Sequence, residues 1–205
     1  MKLLYGTANP AKLQHMRDML RGLDVVVMGL NDLNLNIDQI DESGNDPLEN
    51  AKIKASIYYK AAKMPVFSCD SGLYISGLDK KEQPGVHVRR INGKVFDDEE
   101  MIEYYTSIAL KQGGKVRAKY RNAISLIMDQ KNIFNYDGDD ISPPHFLLTS
   151  RVHPNRNIGF PLDSISVDIK TGEYFIEMNS NSYFNKELAK GFQDFFYRTI
   201  IKWKF

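Results

Sequence analysis

Asp70 lies in the run Ser68-Cys69-Asp70-Ser71-Gly72-Leu73, between Pro65-Val66-Phe67 and Leu73-Tyr74-Ile75, both of which read as buried strands. A carboxylate held between two buried strands is costly unless something pairs with it. A metal ion and its water would compensate the charge, and the acid could then take a proton from that water. Alternatively, Asp70 caps the turn through its own backbone, as aspartates near Ser-Gly do. Cys69 reads as a small buried residue rather than a nucleophile, because no helix N-terminus immediately follows it.

Three further stretches carry suitable chemistry. In Thr7-Ala8-Asn9-Pro10-Ala11-Lys12 a strand ends and a helix begins with a lysine in its first turn. Free backbone N–H groups and the helix dipole favour an anion there, and Lys12 adds a full charge. The glycines of a Walker loop are missing, and a well-capped helix with a solvated lysine accounts equally for the stretch. In Asp41-Glu42-Ser43-Gly44 followed by Glu49-Asn50-Ala51 and Lys54, Asn50 and Lys54 share a helix face. Carboxylates from separate loops are what Mg²⁺ uses, since the ion keeps several waters and takes one or two protein ligands. The plainer alternative is an acidic loop before a surface helix. Gly159-Phe160-Pro161-Leu162-Asp163 can present a ring for stacking and a carboxylate for hydrogen bonding, or simply anchor a loop with a core phenylalanine. The histidines His15, His87, His145 and His153 have no ligand spacing and read as structural or surface residues.

These stretches need a scaffold, and the pattern supplies one. Lys2 to Gly6 reads as a strand, and Asn9-Pro10 starts a helix running to about Gly22 through Leu13, Met16 and Leu20. Val25 to Met28 is a second strand. Asp46-Pro47 begins a helix that ends before Pro65, with Glu49 placed to return the cap. A strand pair is expected over 65–78, then a loop around Pro84-Gly85 and a helix from Asp97 to about Gln112. Strands follow at 116–128, 132–136, 145–150, 162–168 and 173–178, and Leu188, Phe192, Phe195, Phe196 and Ile200 line a final helix. Early alternation and late clustering of strands predict a mixed-sheet α/β protein with flanking helices, as one domain over residues 1–205.

With 205 residues the chain can bury one substantial core, built as two lobes around a cleft. A net charge of +1 excludes the strongly basic balance of a dedicated nucleic-acid binder. No apolar run approaches membrane-spanning length, and the opening residues are too short for a signal-peptide core. A single cysteine excludes an internal disulfide and a cysteine zinc cage, so a reducing cytoplasm is expected.

Taken in order, the stretches resemble the inosine triphosphate pyrophosphatase family. Thr7-Ala8-Asn9-Pro10-Ala11-Lys12 is similar to its Thr-Gly-Asn-x-x-Lys turn, and Glu49-Asn50-Ala51-Lys52-Ile53-Lys54-Ala55 to its Glu-Asn-Ala-x-x-Lys-Ala helix, with Asp41 before Gly44 as the preceding acid. Cys69-Asp70-Ser71-Gly72-Leu73 is similar to Asp-Asp-Ser-Gly-Leu, with Cys69 in place of the first acid. Pro84-Gly85-Val86 with Arg90 matches its Pro-Gly-Val loop. In the second half, Gly159-Phe160-Pro161-Leu162-Asp163 keeps the aromatic and the acid of Gly-Phe-Gly-Tyr-Asp-Pro. The Ser-His-Arg motif that helps the family recognise the purine has no counterpart.

The resemblance implies an elongated mixed sheet, two lobes around a central cleft, and a homodimer. It implies Mg²⁺-dependent hydrolysis of nucleoside triphosphates, such as those of inosine, xanthosine and deoxyinosine, to monophosphate and pyrophosphate. Asp70 would be the base and a metal contact, and Asp41 a metal ligand. Thr7, Asn9, Lys12, Lys54, Ser71 and Arg90 would bind the substrate, with Phe160 and Asp163 at the base. Both lysines are expected to face ligand and solvent, so that removing either leaves folding stability nearly unchanged. Loss of Ser-His-Arg and of the second aromatic, now Leu162, predicts weak discrimination among bases. Two other readings stand: a pyrophosphatase for another modified or standard nucleotide, and a catalytically weak nucleotide-binding protein of the same fold.

Overall fold

The structure is a computed structural model that describes residues 1–33, 35, 37, 40, 42–178 and 183–204. Its elements are β1 (Lys2–Tyr5), α1 (Pro10–Met19), β2 (Val26–Met28), α2 (Pro47–Ala62), β3 (Val66–Ile75), β4 (Arg90–Ile91), β5 (Lys94–Val95), α3 (Asp98–Lys111), β6 (Lys115–Ile127), β7 (Ile133–Tyr136), β8 (Phe146–Thr149), β9 (Ser166–Asp168) and α4 (Tyr183–Lys204). The helix starts follow local chemistry. Asn9 Oδ1 accepts from the backbone N–H of Ala11 and Lys12, Asp46 Oδ1 from Glu49, and Asp97 Oδ1 from Glu100. Pro10 and Pro47 occupy first-turn positions, where no N–H is needed.

The main sheet runs β2-β1-β3-β6-β8-β9, and β7 pairs with the far half of β6. β1 lies parallel to both β2 and β3, while the remaining pairs are antiparallel. The chain leaves β1 for β2 through α1 on one side and returns to β3 through α2 on the other. The order therefore reverses at the carboxyl ends of β1 and β3, where open α/β sheets form a ligand crevice.

β3 and β6 pair from Val66↔Ile127 to Ile75↔Ala118, and their alternation explains the two lobes. On one face Phe67 joins Tyr5, Ile124, Leu126, Phe192 and Phe196 in a first core beneath α1 and α4. On the same face, Leu73 and Ile75 join Ile102, Tyr105, Val116 and Phe146 in a second core beneath α3. Between them the sheet turns polar: Ser71 Oγ donates to Oδ1 of its register partner Asn122 at 2.7 Å. That polar saddle is the floor of the cleft. Ser68, Asp70 and Gly72 alternate to the opposite face, toward α2.

Three sequence expectations change. The 65–78 pair is one continuous strand, because tertiary partners satisfy each polar side chain in it: Ser68 Oγ donates to Gly6 O, Asp70 is paired, and Ser71 meets Asn122. The strand expected at 162–168 begins as a 3-10 turn, Pro161–Ser164, and only Ser166–Asp168 joins the sheet. The strand expected at 173–178 is a 3-10 turn, Phe175–Glu177, joined to β9 only by the bridge Val167↔Tyr174. The β4–β5 hairpin is an addition.

α4 docks closely against the turn at Asp139–Ile141. A Cβ on Gly191 would fall 2.0 Å from the Asp140 carbonyl oxygen, a backbone atom that cannot rotate away. Gly191→Ala gains about 1 kcal/mol of helix propensity but must displace the helix, at a typical overpacking cost of about 1–3 kcal/mol or more. The variant is expected to unfold at lower urea concentration with an unchanged slope. A midpoint at or above wild type would contradict this docking.

Candidate active site

Asp70 is 6 % exposed, and the partners that α2 brings to it are explicit. Lys54 Nζ lies 2.7 Å from Asp70 Oδ1, and Asn50 Nδ2 donates to Oδ2 at 3.1 Å. Asn50 and Lys54 are one turn apart on α2, as their spacing predicts. Asn50 is also buried, and its Oδ1 accepts from Gly44 N at 2.9 Å, fixing the acidic loop before α2. Glu42 in that loop brings Oε1 to 3.6 Å from Lys54 Nζ. Two carboxylates from different segments thus flank one ammonium. No turn is capped by Asp70, since it lies inside β3.

On the other side of the β1 carboxyl end stands Lys12. Its ammonium makes no hydrogen bond or ion pair with any described residue. Burial first, and then the like charge of Lys54, hold it below the ordinary lysine value. The N-terminus of α1 itself offers no free donors: Asn9 takes the N–H groups of Ala11 and Lys12, its own carbonyl takes that of Leu13, and Pro10 has none. Attraction for an anion here therefore rests on the Lys12 side chain and the helix dipole. Cys69 packs beside Tyr5, and burial pushes its thiol up to about 12, so it is neutral at pH 7.

Asn9 also closes the far wall, donating from Nδ2 to Gly159 O at 3.3 Å. Gly159 has φ +87°, and a Cβ there would meet Ala11 Cβ at 2.9 Å, so the close approach requires glycine. The next residue, Phe160, opens a 3-10 turn that carries Asp163, and Asp163 accepts from Asn157 Nδ2 at 2.8 Å. Burial raises the Asp163 carboxyl to about 6, against the opposing effect of the Asn157 bond. The resulting cleft has a volume of about 520 Å³ and brings Asn9, Lys12, Asp70, Ser71, Phe160 and Asp163 to one opening.

A profile of the Ham1 family matches residues 3–139. The chain belongs to the Ham1 family. It is similar to the dITP/XTP pyrophosphatase of Thermus thermophilus, with 28% identity over 178 residues, 87% of this chain and 81% of that one. A second relative, the dITP/XTP pyrophosphatase of Rhodopseudomonas palustris, is 38% identical over 98 residues, 47% of this chain and 44% of that protein. The solved structure of the Staphylococcus aureus Ham1 protein shares the fold, with a TM-score of 0.71, 21% identity, and coverage of 97% of this chain and 99% of that chain.

The expected site residues divide into three groups. Asn9, Lys12, Asp70, Ser71, Phe160 and Asp163 line the cleft, and Lys54 supports it from behind through Asp70. Thr7 and Arg90 stand apart. Thr7 Oγ1 accepts from Asn9 N at 3.2 Å and does not line the cleft. Arg90 is exposed and lines an adjoining recess, whereas Arg89 reaches the main cleft, held by Asp98 at 2.6 Å and by Phe96 O. Asp41, expected as a metal ligand, lies outside the described residues. Glu42, His15 and Arg89 also line the cleft, where the sequence reading gave Glu42 and Arg89 no role and took His15 as structural or surface. Glu42 was legible as the second acid of the same loop.

Lys54 is the clear correction. It is 8 % exposed and bonded to Asp70, so it is not a solvent-facing charge whose loss leaves stability unchanged. Lys54→Met leaves a buried carboxylate without its cation, and breaking such a pair costs about 3–5 kcal/mol. Lys12→Met removes a desolvated, unpaired cation and is expected to be neutral or stabilising. Urea unfolding of both variants checks this, and equal stabilities would contradict it. Asp163 sets a pH dependence of opposite sense to that of a salt-bridged acid. Its folded value lies above the ordinary aspartate value, so the folded state holds the proton more tightly and stability falls as pH rises from about 4 to about 6. The loss is at most about 3 kcal/mol, and Asp163→Asn is expected to abolish that part of the profile.

Proposed function

We propose that this chain hydrolyses nucleoside triphosphates to nucleoside monophosphate and pyrophosphate with Mg²⁺, acting on purines outside the standard set. The observation that carries the reading is the arrangement around Asp70: two carboxylates flank Lys54, and the unpaired Lys12 ammonium stands across the β1 end in the same cleft. The names of the relatives, dITP/XTP pyrophosphatases, supply the substrate class.

The donor set suits a hard cation. Asp70 and Glu42 offer only oxygens, and each Asp70 oxygen uses one of its two lone-pair directions on Lys54 or Asn50. Among the described residues no cluster of three or more His, Cys, Asp or Glu side chains forms a closed cage. That agrees with an ion that keeps waters and takes substrate phosphates. Glu42 and Asp70, with Asp41 by resemblance, would hold Mg²⁺, which supplies neutralisation of phosphate charge.

In this reading Lys12 binds phosphate oxygens, and Ser71 presents its remaining lone pairs at the cleft floor. Asp70 accepts a proton from a water whose oxygen attacks the α-phosphorus. The bond from that phosphorus to the bridging oxygen breaks, and pyrophosphate leaves with the bonding pair. Lys54 and Asn50 hold Asp70 in position, and Phe160 and Asp163 meet the base. A homodimer in the cytoplasm belongs to the same reading by resemblance, and among the described residues no helix is long and apolar enough to cross a membrane. A catalytically weak nucleotide binder is the second reading. It is favoured by the neutral Cys69, which stands where the family pattern has an acid.

Pyrophosphate release across inosine, xanthosine, deoxyinosine and standard triphosphates tests the proposal. Activity is expected to require Mg²⁺ and to fall about 10²–10⁴-fold in Asp70→Asn, which keeps the shape but cannot accept the proton. Near wild-type turnover by Asp70→Asn would overturn its role. Nucleotide binding without pyrophosphate release would favour the second reading.

A further inference from the structure

One polar ring in the cleft has no assigned work. His15 lies on α1, three residues beyond Lys12 and so on the same helix face, and it lines the cleft. Its ring meets Phe160 edge-on, with centroids 6.0 Å apart and planes at 62°. Neither ring nitrogen makes a hydrogen bond or ion pair with any described residue. A half-buried imidazole that lines a cleft with neither nitrogen bonded to a described residue is an unspent donor and acceptor.

The opposite wall supplies the complementary half. Asp163 is carried by the turn that Phe160 opens, and Asp163 N donates to Phe160 O at 3.1 Å, so one short turn carries both the ring and the carboxylate. Asp163 receives one bond, from Asn157, and keeps acceptor capacity for a ligand. Lys12, His15, Phe160 and Asp163 thus all line one cleft, with His15 and Phe160 in ring contact.

We propose that His15 is a specificity-determining residue of this site, its imidazole N–H donating to the carbonyl oxygen of a keto base while Asp163 accepts the neighbouring ring N–H. This rests on the nucleotide reading given above and names the base class within it. Hypoxanthine and xanthine offer a carbonyl acceptor beside a ring donor. Adenine offers the reverse, an amino donor beside a ring acceptor, so it would leave His15 and Asp163 facing like groups. Buried polar groups left unpaired are the strongest basis for rejection. Burial, against the weaker opposing charge of Asp18, lowers the His15 value below that of free histidine and so favours the neutral ring. The weak base discrimination expected from the missing Ser-His-Arg motif is thereby revised, because α1 provides a donor that the C-terminal segment lacks.

Two substitutions separate recognition from packing. His15→Phe keeps an aromatic edge against Phe160 but has no donor. His15→Gln keeps a donor and acceptor but has no ring. The readout is the ratio of kcat/KM for inosine over adenosine triphosphate, with the affinities of the two monophosphates measured by calorimetry. Wild type is expected to favour inosine. The preference should fall about tenfold or more in His15→Phe, while His15→Gln retains it within about threefold. Retention in His15→Phe with loss in His15→Gln would assign His15 to packing and overturn the inference. So would an absence of inosine preference in wild type that still hydrolyses triphosphates. Failure of wild type to bind or hydrolyse any nucleotide would overturn the nucleotide reading itself, which the monophosphate calorimetry identifies separately.

Discussion

The ion pair between Lys54 and Asp70 is the contact on which the arrangement of the cleft depends. Both side chains are nearly fully buried, so each would carry a large desolvation cost without the other. A buried pair of this kind adds little net stability over a well-packed apolar pair, but its geometry is demanding. It fixes where α2 sits on β3. Asn50, one turn away, bonds both Asp70 and the backbone of Gly44, so the acidic loop takes its position from the same constraint. Strand, helix and loop are registered to one another by two side chains of α2.

The cleft exists because the long β3–β6 pair carries two apolar ends on one face and a polar middle. Phe67 and Leu73 belong to different cores, and Ser71 with Asn122 lies between them. Asn122 is itself held at both ends of its amide, accepting from Ser71 Oγ and donating to Ile141 O, so the floor is ordered without a ligand. Asn9 performs the matching task on the walls: it caps α1 and holds the Gly159 carbonyl, setting Lys12 and Phe160 on facing sides. Site residues separated by 150 positions meet through that one amide.

Charges of both signs meet at this opening. Acids flank Lys54, and Lys12, which makes no ion pair with any described residue, lines the same cleft as Asp163, His15 and Phe160. The cleft volume falls within the range of small-molecule sites. Cys69 leaves the Lys12 side of the site one negative charge poorer than an Asp-Asp pair would, since burial keeps the thiol protonated at pH 7.

Sequence alone determined the helix starts, the early strand–helix alternation and the shared helix face of Asn50 and Lys54, because caps, prolines and that spacing are local signals. It also raised the right question about Asp70, a charge in an apolar run. It did not determine the answer. Lys54 is sixteen residues away and looks like any surface lysine on a mixed helix; only the packing of α2 on β3 makes it the partner. The same limit hid His15, whose role depends on Phe160 arriving from the far end of the chain, and it misread 173–178, where alternation suits a strand but the sheet offers only a single bridge. Local periodicity records which side chains prefer burial. Which groups satisfy one another is decided only when distant segments meet, because an unpaired buried charge must find its partner in the tertiary structure.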